Sequence, residues 1–199
     1  MSLCLILLSD NKAYIGADSR ECAAFEGKEN APAYWIGDDA KKLHIVDNDM
    51  VIFASGITFI CDDVIKKFKN SKIKDIEHLR LLTKNIGNLY AYRFPSIVET
   101  MPAGFIDISI VQKQNNNLVY YNINNTDDYQ ILKYQAKPNK TIPIVAGTYC
   151  QQACTMTKKL LNKMSVFELY QTVYNHFADE RVGGKLNLLE MSATQGVKS

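Results

Sequence analysis

No stretch of this chain approaches the roughly 20 consecutive apolar residues that a membrane-spanning helix needs. The apolar run near its start, residues 3–8 (LCLILL), is too short for that role. It has no basic stretch before it and no small-residue cleavage site after it, so it does not read as a secretory signal. An excess of one charge is missing too. With 23 Lys and Arg against 21 Asp and Glu, the formal net charge of +2 gives no electrostatic reason to expect a nucleic-acid or membrane partner. The five cysteines are odd in number and form no CxxC pair, so no disulfide framework is expected, and a reducing, cytoplasmic setting is. Cys150 and Cys154 would share a helix face, but a second pair of ligands is missing and the three histidines are scattered. No metal and no other cofactor is expected, and the cysteines read as small buried hydrophobes.

What is present is the composition of an ordinary globular protein. At 199 residues, 47% hydrophobic and 22% charged, the chain is expected to form one domain spanning 1–199.

Residues 3–8 read as a strand buried on both faces, because such strands are continuously apolar rather than alternating. Asp10-Asn11 reads as a turn and 12–18 as a second strand, giving a hairpin. Residues 21–33 are polar and read as a mobile loop, within a longer 21–40 connection that carries Phe25, Tyr34 and Trp35. Strands are predicted at 41–47 and 50–55, with Gly56 closing the second. Helices are predicted at 58–69 and 75–92, the latter ended by Phe94-Pro95 because proline cannot continue a helix. Strands follow at 104–112, 117–123 and 129–135, with another around Ile144-Val145. Helices at 149–163 and 166–178 precede a last strand at 186–191 and a frayed tail. Paired strands feeding paired helices, twice over, predict an α/β (α+β) domain of two stacked sheets with helix pairs outside.

Met1-Ser2 carries the first chemical signal. Removal of Met1 would leave Ser2 with a free α-amine, whose unperturbed pKa of about 7.7–8 lets it accept a proton near neutrality. Nucleophile and base would then belong to one residue. Asp18 ends the second strand, Lys41-Lys42 begins a later one, and Gly56 stands at a strand-to-helix turn. A buried lysine near Ser2 would lower the pKa of its hydroxyl and amine, and Asp18 would keep that lysine charged and oriented. Gly56 would offer a main-chain N–H to a developing oxyanion, an interaction worth about 3–4 kcal/mol. Cys4, two residues on and on the same strand face as Ser2, is a reserve nucleophile.

In sequence order these segments resemble the proteasome β subunits and their bacterial proteasome-like relatives, which are N-terminal-nucleophile hydrolases. Ser2 with its apolar strand, Ala17-Asp18-Ser19-Arg20, Lys41-Lys42-Leu43-His44, Phe53-Ala54-Ser55-Gly56, Val145-Ala146-Gly147 and Asp179-Glu180-Arg181-Val182-Gly183-Gly184 carry the resemblance across nearly the whole chain. The resemblance implies a four-layer αββα sandwich of mainly antiparallel sheets. It implies Ser2 as nucleophile, Lys42 as the group that tunes it, Asp18 as the partner of Lys42, Gly56 as oxyanion donor and Asp179 as support. It also implies peptide or unfolded-protein substrates, assembly into a homo-oligomeric ring and an ATPase partner.

The chain departs from the family pattern in three places. Serine replaces the usual threonine nucleophile, and Val182 and Ala146 stand where hydroxyls are usual. Two other readings therefore stay open: a non-catalytic scaffold or gate subunit, and hydrolysis of a small amide in a pocket closed by the 21–40 loop.

Overall fold

The computed structural model describes residues 2–24, 33–99 and 104–198. Met1 and the 25–32 part of the expected loop, Phe25 included, lie outside the described residues, as do the side chains of Tyr34 and Trp35.

The first sheet contains β1 (Leu3–Leu8), β2 (Lys12–Asp18), β10 (Ile142–Gly147), β11 (Leu186–Ser192) and β12 (Gly196–Lys198), in the order β10-β1-β2-β11-β12. The second runs in chain order through β5 (Leu43–Asp47), β6 (Met50–Gly56), β7 (Ile106–Gln114), β8 (Asn117–Asn124) and β9 (Leu132–Gln135). All these pairings are antiparallel. Helices α1 (Thr58–Asn70), α2 (Ile76–Arg93) and the short α3 (Pro95–Glu99) link β6 to β7. Helices α4 (Cys150–Leu160) and α5 (Val166–Phe177) link β10 to β11. A separate hairpin pairs β3 (Glu21–Ala24) with β4 (Ala33–Gly37).

Side-chain alternation shows how the layers stack, since successive residues of a strand face opposite ways. Leu3, Leu5 and Leu7 of β1 pack with Leu169, Tyr170 and Val173 of α5. Cys4, Ile6 and Leu8 pack with Val51 and Phe53 of β6, between the two sheets. Met50, Ile52 and Ala54 of β6 pack with Val64 and Phe68 of α1 and Leu79 of α2. Three apolar clusters thus separate helices, sheet, sheet and helices. Burial of β1 on both sides is the physical reason its sequence reads as an unbroken apolar run.

Local signals fix the helices. Asp75 caps α2, its carboxylate accepting from the His78 N–H at 2.6 Å. Ser165 and Glu168 form a reciprocal capping box at the start of α5. The Tyr174 hydroxyl of α5 accepts from Leu5 N at 3.2 Å and reaches the carbonyl oxygens of Leu3 and Gly16. That contact ties α5 to the beginning of β1, where Ser2 lies.

Three expectations are corrected. Part of the 21–33 segment is strand: residues 21–24 pair with β4, so the polar stretch is a hairpin arm rather than loop throughout. The tail is not frayed, because Glu190, Met191 and Ser192 pair with Lys198, Val197 and Gly196. The cysteines are not uniformly buried. Cys4 and Cys61 are buried, Cys22 and Cys154 are half-buried, and Cys150 is exposed. Among the described residues no helix is long and apolar enough to cross a membrane.

Candidate active site

Four chain segments meet at the Asp18 carboxylate, which is 1% exposed at the end of β2. Its Oδ1 accepts from the main-chain N–H of Leu3 at 2.9 Å. Its Oδ2 accepts from Lys42 Nζ at 2.8 Å and from the N–H groups of Arg20 and Gly183, each at 3.3 Å. A buried carboxylate needs such partners, because an unsatisfied charge in the interior is strongly disfavoured. The result is a hub that fixes the residue following Ser2 against the ammonium of Lys42.

Ser2 precedes β1 and is itself buried, at 5% exposure. Its carbonyl oxygen accepts from Thr148 N at 2.6 Å. Gly147, at φ +89°, makes this approach possible: a Cβ there would collide with the Ser2 carbonyl oxygen. Lys42 lies just ahead of β5, tied to β6 by the 3.1 Å bond from Ala54 N to its carbonyl. Burial pulls its pKa below the ordinary lysine value, and the charge and hydrogen bond of Asp18 oppose that shift. The ammonium is therefore nearer to exchanging a proton at neutral pH than an exposed lysine is.

Gly56 ends β6 two residues past Ala54, opposite Ile106 of β7. Its φ of +123° belongs to glycine, and a Cβ would strike the Phe105 carbonyl, which accepts the N–H of Ile57 at 2.9 Å. Asp179 stands apart from this group. Its carboxylate accepts from Arg181 N at 2.7 Å, from Val182 N at 2.9 Å and from the Tyr149 hydroxyl. Burial pushes its pKa up, but those hydrogen bonds outweigh burial and hold it below the ordinary carboxylate value. Asp179 thus shapes the turn that presents Gly183 N to Asp18.

Ser2–Leu3, Asp18 and Lys42 are brought together, Gly56 belongs to the neighbouring strand end, and Asp179 is linked to them through the turn that carries Gly183. Cys4 is no reserve nucleophile. It is fully buried between the sheets, and burial, then the negative charges of Asp107 and Asp18, push its thiol pKa well up.

Sequence reasoning missed several contributors. Ala146 lies opposite Cys4 in register, and it is Thr148, beyond Gly147, whose main chain touches Ser2. Arg20 forks onto Asp38, with Nε to Oδ1 at 2.8 Å and Nη2 to Oδ2 at 3.1 Å, while its Nη1 donates to the Asp179 carbonyl. It therefore clamps the segment before β5 to the segment before β11. The Ser19 hydroxyl adds a parallel link, donating to the Asp38 carbonyl at 2.5 Å and accepting from Lys185 N at 2.8 Å. The glycine of Ala-Gly-Thr was a visible signal for Thr148; Ser19 and Arg20 stood in a motif that carries the resemblance, but nothing in the sequence paired them with Asp38 or the Asp179 carbonyl.

A scan against protein-family models and a search of curated proteins give no match to this chain.

Proposed function

We propose that this chain is a proteasome-like N-terminal-nucleophile hydrolase that cleaves amide bonds, most naturally in peptides, once Met1 is removed. The observation that carries this reading is the Asp18 hub, which joins the Leu3 N–H to one carboxylate oxygen and Lys42 to the other. The stacked sheets and flanking helices support the N-terminal-nucleophile fold as their framework.

In this mechanism the Ser2 hydroxyl attacks the substrate carbonyl carbon and gives its proton to the freed α-amine. Lys42 holds the proton-accepting amine in its neutral form by its positive charge, and Asp18 holds Lys42. The N–H of Gly56 receives the developing oxyanion. Collapse of the tetrahedral intermediate breaks the C–N bond, and the leaving amine takes the proton. Water then adds to the ester, and a second collapse releases the acid and regenerates the Ser2 hydroxyl. Peptide or unfolded-protein substrates, a ring of identical chains and an ATPase that feeds it belong to the same proposal through the resemblance.

A scaffold role is the second reading. It is favoured by Val182, which is fully buried against β1 and brings no hydroxyl to the site.

Intact mass after incubation with a peptide epoxyketone tests the proposal, because that warhead closes its ring only on a residue bearing both a hydroxyl and a free α-amine. A mass lacking Met1 and carrying one adduct, abolished in Ser2→Ala, is expected. A mass retaining Met1 without adduct assigns the chain to the scaffold role.

A further inference from the structure

The inner face of the second sheet changes character along its length. At one end it is apolar, with Val51, Val111 and Leu118 between the sheets. At the end that carries Gly56 it is polar. Ser55 lies opposite Asp107, which lies opposite Asn124, and Ser109 lies opposite Asn122. Alternation sets these side chains toward the first sheet, since Ile106, Ile108 and Ile110 face the α1–α2 side.

Asp107 is the unusual member. It is half-buried, and its one hydrogen bond among the described residues comes from Asn122 Nδ2 to Oδ1 at 2.6 Å. Asn124 Nδ2 in turn donates to Asn122 Oδ1 at 2.9 Å, so the amide that orients Asp107 is itself oriented. No Lys, Arg or His among the described residues pairs with this carboxylate. Burial raises its pKa and only the Asn122 hydrogen bond opposes that rise. A carboxylate drawn partly out of water, with no cation on it and one oxygen left without a hydrogen bond, is a candidate acceptor for a cationic group. Packing places this polar group on the side of β1 that follows Ser2. Cys4, two residues along from Ser2, shares its inter-sheet cluster with Tyr120, whose hydroxyl meets Ser109 Oγ at 2.9 Å, and Asn122 Nδ2 donates to that same Oγ at 3.3 Å.

We infer that Asp107, aimed by Asn122 and Asn124, forms a subsite beside Ser2 that takes a cationic group of the substrate, an ammonium or guanidinium. The inference rests on the reading of Ser2 as the reacting residue. The carboxylate oxygen left without a hydrogen bond is the acceptor, and partial removal from water strengthens the charge-assisted bond. Two sources of the cation share this chemistry: a lysine or arginine side chain on the acyl side of the cleaved bond, and the free amino terminus of a short peptide.

Equilibrium binding of four peptides separates these outcomes: acetyl-Ala-Ala-Lys amide, acetyl-Ala-Ala-Leu amide, acetyl-Ala-Ala-Glu amide and unacetylated Ala-Ala-Leu amide. They are titrated into the Met1-processed chain and followed by NMR shifts, with turnover of the matching fluorogenic amides measured alongside. The lysine peptide is expected to bind about tenfold more tightly than the acetylated leucine peptide, as one good charge-assisted bond gives. That advantage disappears in Asp107→Asn, which keeps an acceptor oxygen for Asn122, and turns toward the glutamate peptide in Asp107→Lys. If the unacetylated leucine peptide has the advantage instead, and loses it in Asp107→Asn, the same subsite reads the amino terminus. Equal affinities in the unsubstituted chain, absence of binding by any peptide, or a lysine preference that survives Asp107→Asn overturn the inference. The unsubstituted-chain comparison decides even where a variant fails to fold. Discriminating binding without turnover leaves the subsite standing and removes the hydrolase reading; turnover without discrimination does the reverse.

Discussion

Asp18 and Lys42 meet at 2.8 Å with both side chains out of water, at 1% and 9% exposure. Asp18 ends β2 of one sheet and Lys42 immediately precedes β5 of the other, so the ion pair links the two sheets next to the segment that carries Ser2. Exposed ion pairs contribute little to stability, but removing one partner of a buried pair costs about 3–5 kcal/mol because the other charge stays buried.

Lys42→Ala is therefore expected to destabilise the chain by about 3 kcal/mol, the lower end of that range, because three main-chain N–H groups remain on Asp18. The fold is expected to persist, and labelling of Ser2 by the epoxyketone is expected to vanish. Urea unfolding and intact mass on one preparation check both parts. A variant that labels at the original rate removes Lys42 from the mechanism.

Gly147→Ala tests the backbone that seats Ser2. The residue would have to adopt φ +89° with its Cβ against the Ser2 carbonyl oxygen. A backbone conformation of this kind costs about 1–3 kcal/mol, to which the collision adds. Loss of at least about 2 kcal/mol is expected. Displacement of the 2.6 Å bond from Thr148 N should also slow labelling of Ser2. Stability close to that of the unsubstituted chain would show that β10 yields there and that the Ser2 position is not fixed by Gly147.

Arg20→Lys addresses the clamp between Asp38 and the Asp179 main chain. Lysine keeps the charge but loses the planar fork that engages both carboxylate oxygens of Asp38 while reaching a third acceptor. A cost of about 1–2 kcal/mol is expected, with faster hydrogen exchange in residues 179–184. Unchanged exchange there would mean that Asp179 and Tyr149 hold the turn without Arg20.

The sequence was legible where one physical rule dominated. Strand β1 was readable because two-sided burial leaves no polar residue in it, and α2 because Asp75 and Pro95 bracket an apolar period. Strand β3 was not, since Glu-Cys-Ala-Ala is short and half polar and becomes a strand only by pairing with β4. Strand β12 was missed for the same reason: three residues after a turn carry no period. At the site, Ser2, Asp18, Lys42 and Gly56 could be nominated because each chemistry demands a residue type. Arg20, Asp38 and Asp179 could not be joined, because 18 and 159 residues separate Arg20 from its two partners and only the fold brings them together.

His44 gives the pH dependence of folding a definite sign. It is 8% exposed, and burial, followed by the positive charges of Lys69 and Lys41, lowers its pKa from 6.5 to about 4. The folded state holds the neutral ring, whereas the unfolded chain binds a proton once the pH falls below about 6.5. Between those two values the unfolded state carries more protons, so stability rises with pH across the window and falls as acid is added. The shift corresponds to about 3 kcal/mol at most, lost progressively between pH 6.5 and 4 and not further below. His44→Gln, which does not titrate, is expected to flatten that part of the profile while leaving the acid limb set by carboxylates. Urea midpoints at half-unit steps from pH 7.5 to 4 measure it. If the two profiles run parallel through pH 5–6, the His44 ring takes up its proton in the folded protein as readily as in the unfolded chain, and the burial argument for it fails.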